Sequence, residues 1–381
     1  SKAGRTKIKT DFQNNIISLC TSKLCVKVWE SPFRIAIYNS QGELLLAEPE
    51  DNNSFSGLSL GKRLCRESFL VQKEEGFFGG GEQYQSFNHR GDVLIMDTDD
   101  AYQSRTGNTY IPIPFLLSSR RWALFLNTCQ RARFDLGKKF PERIFFELPD
   151  CNIDYYLIFA PPKRALQKYS KIVGSSPLIP RWSLEPWISR RTYLGWKFPW
   201  AVDEDVQKML RNGFPLGVIL WENMIGEDEN HIDLRANRKT KSDLPQYIDK
   251  WHKLGIKVVG WHFQGQLKYT PEVMSYYDLD KHLDFLVRNP NGSVYIGGRG
   301  ANKAYLDITN PSARIYFWEK IYKPLFTAEP FGTSSFEHLN LDGIKLDFCE
   351  YFPSDDVPLL MHQRDKGMRL KYPVLFGEWL Y

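Results

Sequence analysis

The feature that most restricts what this chain can become is a change of pattern near Trp182. Downstream of it, short apolar runs alternate with longer amphipathic ones. Strands are predicted at Leu184–Ile188, Leu216–Trp221, Lys257–Phe263, Gly343–Phe348 and Pro373–Gly377. Helices are predicted at Asp203–Asn212, Ser242–Leu254, Pro271–Val287, Pro311–Phe326 and Asp356–Leu370, with Ser242 and Asp243 as start signals and Gly255 as a stop. Repeated strand–helix units bury both faces of a parallel sheet, because each crossover lays a helix on it. An enzyme barrel and a doubly wound sheet both fit. No glycine-rich dinucleotide fingerprint follows any of these strands, which counts against a nucleotide-binding sheet.

Upstream of the change the pattern has a period of two. Runs such as Leu24–Trp29, Phe33–Tyr38, Trp122–Asn127, Ile144–Leu148 and Ile153–Phe159 are separated by polar or Gly/Pro-bearing turns, as in a β-sandwich. Pro161–Ser170 reads as a short helix and Ser175–Pro180 as a linker. The expected class is therefore multidomain, α+β with α/β: a β-sandwich over residues 1–175 and a catalytic (β/α)8 barrel over 176–381. Five strand–helix repeats fall short of the eight that close a barrel. Open sheet edges expose unpaired backbone, so the expectation is a barrel truncated after about its fifth strand, completed by a missing segment or a second chain.

Composition removes other classes. The 50 basic and 45 acidic residues are scattered and give a net charge of +5, too balanced for a nucleic-acid footprint. No run of about 18 apolar residues is present to span a membrane. The six cysteines, at 20, 25, 65, 129, 151 and 349, lack metal-ligand spacing and are read as free thiols, although Cys20 and Cys25 could face each other across neighbouring strands. Sequons at Asn52 and Asn291 arise often by chance and decide no compartment. Aromatics at 14% suit flat sugar faces and a large core alike.

Reacting groups in a β/α barrel sit at the carboxyl ends of strands. On the run Gly343-Ile-Lys-Leu-Asp347, alternation puts Gly343, Lys345 and Asp347 on one face. Charged residues facing a barrel interior need a reason. Lys345 and Asp347 are separated by about 7 Å along the strand, close enough for an ammonium to favour an ionised carboxylate. A nucleophile requires that state; a structural ion pair at a barrel mouth is the competing reading.

Asp342-Gly-Ile-Lys-Leu-Asp-Phe-Cys-Glu350 resembles the nucleophile strand of glycoside hydrolase family 31. Three further regions agree with that family and follow its order. Gly79-Gly-Gly-Glu-Gln-Tyr84 with Phe87-Asn-His-Arg-Gly91 is similar to its amino-terminal glycine–glutamate and Asn-x-Arg-Gly segments. Ile179-Pro-Arg-Trp182, followed by Trp187-Ile-Ser-Arg-Arg-Thr-Tyr193, is similar to its barrel entry, and Tyr305-Leu-Asp-Ile-Thr-Asn-Pro-Ser-Ala-Arg314 to its Asp-Phe-Thr-Asn-Pro-x-Ala-Arg segment. Each is weak alone; together they are specific.

The resemblance implies a two-step retaining cleavage of an α-linked oligosaccharide or glycoside, with Asp347 as nucleophile and no metal or organic cofactor. It implies sugar contacts for Glu222, where the family places an Asp, and for Gln83. Arg191, Trp221, Trp261 and His262 lie near strand ends and could line the pocket, with Lys345 beside the nucleophile. Core packing is the alternative for the tryptophans, and a local turn for Gln83. Asp307 and Asn310 read as helix-start residues. The family's acid/base lies well beyond its nucleophile, and none of the 34 residues after Asp347 matches that segment. Asp355 and Asp356 sit in the wrong loop and Glu378 ends the next predicted strand, so no acid/base is named. Gly79-Gly-Gly-Glu-Gln and Asp347-Phe-Cys-Glu-Tyr-Phe-Pro353 look nearest the sulfoquinovosidase-like branch, although that branch's sulfonate-binding residues are not evident after Trp221. A transglycosylase on the same scaffold, or a non-catalytic carbohydrate-binding protein, are the other readings.

Overall fold

The computed structural model describes residues 6–50, 58–59, 64–99, 109–149, 152–189, 199–221, 244–298, 302–326 and 339–381. The chain divides into two compact units, Ser1–Ser176 and Pro177–Tyr381.

The first unit is built from antiparallel sheets. Lys9–Gln13, Ile16–Cys20, Leu24–Glu30, Phe33–Asn39 and Leu44–Ala47 form a meander. Two further sheets share one apolar core. One contains Leu64–Leu70, Val93–Met96, Ala132–Asp135 and Arg143–Leu148; the other contains Phe77–Gly81, Pro112–Ser118, Trp122–Leu126 and Tyr155–Phe159. Strand alternation accounts for how the latter sheet is used. Trp122, Leu124 and Leu126 enter the shared core, while Ala123 and Phe125 pack on the opposite face with Ala165 of the helix Pro162–Val173.

The cysteine expectation is corrected here. The hairpin register pairs Cys20 with Cys25, and the two form a disulfide; Cys65 is disulfide-bonded as well. Of the described cysteines, Cys349 is a buried free thiol. A five-residue spacing does not reveal a pairing that depends on hairpin register.

In the second unit, Trp187–Ser189, Val218–Trp221, Lys257–Phe263 and Gly343–Asp347 form a parallel sheet in chain order. The helices Trp200–Arg211 and Leu244–Lys253 follow the first two strands; the predicted helix start at Ser242 and Asp243 lies outside the described residues. Val202 and Val206 of one helix, and Ile248 and Trp251 of the other, pack with Ile219, Trp221 and Val258 in one core. Among the described residues this sheet has four strands and does not close. A small antiparallel sheet, Gln266–Lys268, Ile296–Gly297 and Lys303–Tyr305, follows the third strand. Asn310 then caps the helix Pro311–Phe317, its side chain accepting from Ser312 N at 3.0 Å, with Pro311 in the first turn as the sequence predicts.

Several predicted elements differ. Arg181–Leu184 is a 3₁₀ turn, so the first strand starts only at Trp187. The long helix expected over Pro271–Val287 stops at Tyr276. Asp356–Leu370 is mostly loop, in which Arg364 donates to the carbonyls of Leu359 and Asp355 and the backbones of Arg288 and Leu360 pair. The predicted fifth strand is helical: Pro373–Gly377 lies inside the helix Met368–Leu380. Met368, Tyr372 and Phe376 recur every fourth residue and are all buried, a helical period that overrides the strand-like composition of the run. Glu378 therefore sits on a helix, not at a strand end.

Candidate active site

The parallel register sets the site. Val259 pairs with Gly343, Trp261 with Lys345 and Phe263 with Asp347, so these side chains share one face of the sheet. Near the amino end of that face, a Cβ at Gly343 would lie 3.7 Å from the Trp182 ring, in ordinary packing contact. At the carboxyl end stands Asp347, its side chain 16% exposed.

The Asp347 carboxylate is held from three directions. Oδ2 accepts from Trp261 Nε1 at 2.7 Å and lies 3.1 Å from Lys345 Nζ. Oδ1 accepts from the backbone N–H of Phe348 at 2.9 Å. Two N–H donors and an ammonium around one carboxylate favour the anion electrostatically. The Trp261 indole stands edge-on to both Phe263 and Phe348, with ring centroids 4.7 and 5.6 Å away. Phe348 adopts a left-handed backbone, φ 60° and ψ 30°. For a bulky side chain this conformation costs on the order of 1–3 kcal/mol and persists only where the surroundings impose it. Here the Phe348 carbonyl accepts from Gln266 Nε2 at 2.7 Å, and the Tyr351 carbonyl accepts from the Tyr305 hydroxyl at 2.6 Å.

Of the sequence-predicted site residues, Trp261 and Lys345 meet Asp347. Trp221 and His262 lie on the opposite face of the sheet from Asp347. Trp221 shares the opposite face of the sheet with Ile344 and is 2% exposed within the core. His262 shares that face with Leu346, and its Nε2 is 2.9 Å from the Tyr322 hydroxyl. Burial lowers its pKa to about 3, so the ring is neutral. Glu222 and Arg191 lie outside the described residues. Gln83, in the first unit, donates through Nε2 to the Gly80 carbonyl at 2.8 Å, a bond local to its own turn.

Two motif aspartates have structural surroundings. Asp307 is buried and accepts from Thr309 N at 3.0 Å and from His362 N at 2.6 Å, stitching the loop that follows the Asp347 strand. Asp342, just before that strand, accepts from His252 Nε2 at 2.7 Å, Lys257 Nζ at 2.8 Å and Val258 N at 2.9 Å. Sequence reasoning missed Phe348, Gln266 and Tyr305. An aromatic residue carries no sign that it will be left-handed, and Gln266 and Tyr305 come next to Asp347 only through the small antiparallel sheet. Among the described residues, no cluster of three or more His, Cys, Asp or Glu is placed to hold a metal, and no helix is long and apolar enough to cross a membrane.

An antiparallel β unit is thus followed by a parallel β/α unit that carries a carboxylate at a strand's carboxyl end, the place where β/α barrel enzymes hold their reacting groups. The chain belongs to glycosyl hydrolase family 31. Residues 1–135 match the family's N-terminal galactose mutarotase-like domain and residues 176–372 its TIM-barrel domain. Among curated relatives, the isomaltosyltransferase of Sporosarcina globispora is 25% identical over 93% of this chain and 35% of its own length. Alpha-glucosidase 2 of Bacillus thermoamyloliquefaciens is 28% identical over 80% of this chain and 38% of its own length. The chain thus spans little more than a third of these relatives. A family 31 dextranase structure from Flavobacterium johnsoniae, with isomaltotriose bound, superposes with a TM-score of 0.84 at 18% identity, covering 99% of this chain and 45% of that one.

Proposed function

We propose that the protein carrying this chain is a retaining α-glycosidase with Asp347 as its nucleophile. The observation that carries the reading is the Asp347 carboxylate at the end of a parallel strand, braced by Trp261, Lys345 and the Phe348 amide. In the first step a carboxylate oxygen bonds to the anomeric carbon as the glycosidic C–O bond breaks, and an acid protonates the departing oxygen. In the second, water attacks that carbon, the ester bond to Asp347 breaks, and a base takes the water's proton. Asp347 is the leaving group of this second step. Donors from Trp261 and Lys345 stabilise the carboxylate as it is released, so they serve deglycosylation most. Glu222, on the strength of the family resemblance, and Arg191, from its place near a predicted strand end, are proposed to contact the sugar.

The test is trapping of the covalent intermediate. The full protein is incubated with a fluorinated α-glycosyl fluoride whose deglycosylation is slow, then digested and mapped by mass. The adduct is expected on the peptide containing Asp347; an adduct on another carboxylate overturns the assignment. A second reading, transglycosylation, is favoured by the match to an isomaltosyltransferase over most of this chain. It shares the first step and replaces water with a sugar hydroxyl. Product analysis with α-glucoside, α-xyloside and sulfoquinovoside donors, with and without an acceptor sugar, separates the two and names the sugar.

A further inference from the structure

We infer that Gln266 is a positioning residue for Asp347, acting through the backbone of Phe348; the inference rests on the nucleophile reading above. The backbone of Phe348 is pinned at both ends. The Asp347 carbonyl accepts from Gln264 N at 2.8 Å, the Phe348 N–H donates to Asp347 Oδ1 at 2.9 Å, and the Phe348 carbonyl accepts from Gln266 Nε2 at 2.7 Å. Left alone, an aromatic residue with φ at +60° relaxes to negative φ. Relaxation to the right-handed region rotates both φ and ψ of Phe348, which turns its N–H and its carbonyl together. That rotation carries the Phe348 N–H off Oδ1 and frees the carboxylate to turn. Holding the Phe348 carbonyl therefore also holds the orientation of Asp347.

The surroundings of Gln266 are shaped for this bond. Its side chain is 0% exposed, and its Oε1 has no hydrogen-bond partner among the described residues, so the bond to Phe348 is the one bond its side-chain amide makes there. A Cβ at Gly298 would lie 2.4 Å from that Oε1, and one at Gly265 would lie 2.1 Å from the Tyr372 hydroxyl. Both glycines have positive φ. Gly298 lets the backbone close on the amide, and Gly265 lets it close on the Tyr372 ring, where any side chain would displace them. A buried amide whose carbonyl oxygen is unpaired disfavours folding, and an apolar side chain of equal length would avoid the penalty. The geometry gives it a purpose, retention of a strained peptide beside the reacting carboxylate.

Gln266→Met and Gln266→Glu are assayed in the full protein on an aryl α-glycoside that the wild type cleaves, beside Asp347→Asn. Gln266→Met keeps the shape and loses the donor. It is expected to unfold cooperatively and to lose about 10- to 100-fold in kcat, with KM changed less than about threefold. The acid limb of its kcat/KM profile moves to higher pH, because the carboxylate loses the Phe348 N–H. In Gln266→Glu a neutral carboxyl donates to the Phe348 carbonyl and an ionised one repels it. Its kcat then approaches wild type at low pH and falls toward that of Gln266→Met as pH rises. A folded Gln266→Met with wild-type kcat and an unmoved acid limb overturns the inference. Should Gln266→Met not fold, a wild-type pH profile in Gln266→Glu overturns it equally. The nucleophile reading fails on a separate result: Asp347→Asn that still turns over, whatever the Gln266 variants do.

Discussion

The Trp261 indole reaches diagonally across the sheet to Asp347, its Nε1 donating to Oδ2 at 2.7 Å, although the strand register sets Trp261 opposite Lys345. A long planar side chain with a donor at its tip spans that two-residue step, about 7 Å along the strand. Trp261→Phe keeps an aromatic ring against Phe263 and Phe348 and removes the donor. A hydrogen bond to a charged group contributes about 1.5–3 kcal/mol, so the deglycosylation rate, read as kcat on a substrate for which that step limits turnover, is expected to fall roughly 10- to 100-fold. Steady-state kinetics on the purified variant checks this. An unchanged kcat on that substrate means the indole only packs.

Asp347→Asn removes the attacking oxygen while keeping size and much of the hydrogen bonding. Loss of a nucleophile raises the barrier by about 5 kcal/mol or more, several orders of magnitude in rate. The variant is expected to fold with near-wild-type thermal stability, since the side chain is partly exposed and the substitution conserves its volume. Retention of more than about a tenth of the wild-type rate is incompatible with the role.

His262 couples stability to pH. Its ring is buried and neutral, with a folded pKa lowered to about 3, whereas in the unfolded chain it titrates near the ordinary value of 6.5. Between those values the unfolded state binds the extra proton, so stability rises with pH across that window and is flat above it. The contribution lost by the acid end is on the order of a few kcal/mol. His262→Phe is therefore expected to show a shallower loss of chemical stability between pH 6 and pH 4, measured by urea denaturation. It also has lower stability near neutrality, because the Tyr322 hydroxyl loses its partner. An identical slope in both proteins rules the linkage out.

How much of the fold and the site is legible from residues depends on whether the controlling interaction is local. The strand Lys257–Phe263 is readable at both ends, since Val258, Val259 and their neighbours have strong strand preference and Gly255 stops the preceding helix. Asp347 is readable because a short acid closing an apolar strand has no packing reason to be there. The run Pro373–Gly377 misleads because five residues are too few to show a helical period; the signal lies in Met368 and Tyr372, whose spacing extends upstream of the run. Nearness to strand ends points Trp221 and His262 toward the pocket, and alternation across the register turns both the other way. Left-handed Phe348 and the Cys20–Cys25 bond depend on tertiary placement and hairpin register, which no local pattern encodes.

Two aspartates divide the work of this strand. Asp342 lies just before it and Asp347 at its far end, so the same segment carries a stability site and the proposed reaction site. Burial alone would raise the Asp342 pKa, but hydrogen bonds from Lys257, Val258 and His252 bring it below the usual range. A group with a depressed folded pKa contributes stability above its unfolded value and loses it as pH falls through the folded one. Asp342→Asn removes the charge facing Lys257 and His252 while keeping an acceptor for Val258 N. The expected loss is about 1–3 kcal/mol of unfolding free energy near neutral pH, shrinking in acid where wild-type Asp342 is itself protonated. Turnover per folded molecule should stay within about twofold of wild type, because such changes away from the reacting atoms leave the transition state untouched. Urea melts at pH 7 and pH 3, with kcat normalised to the folded fraction, make the comparison with Asp347→Asn direct. Equal stability at pH 7, or a loss of kcat comparable to that of Asp347→Asn, would show that the two ends of this strand do not divide the labour in this way.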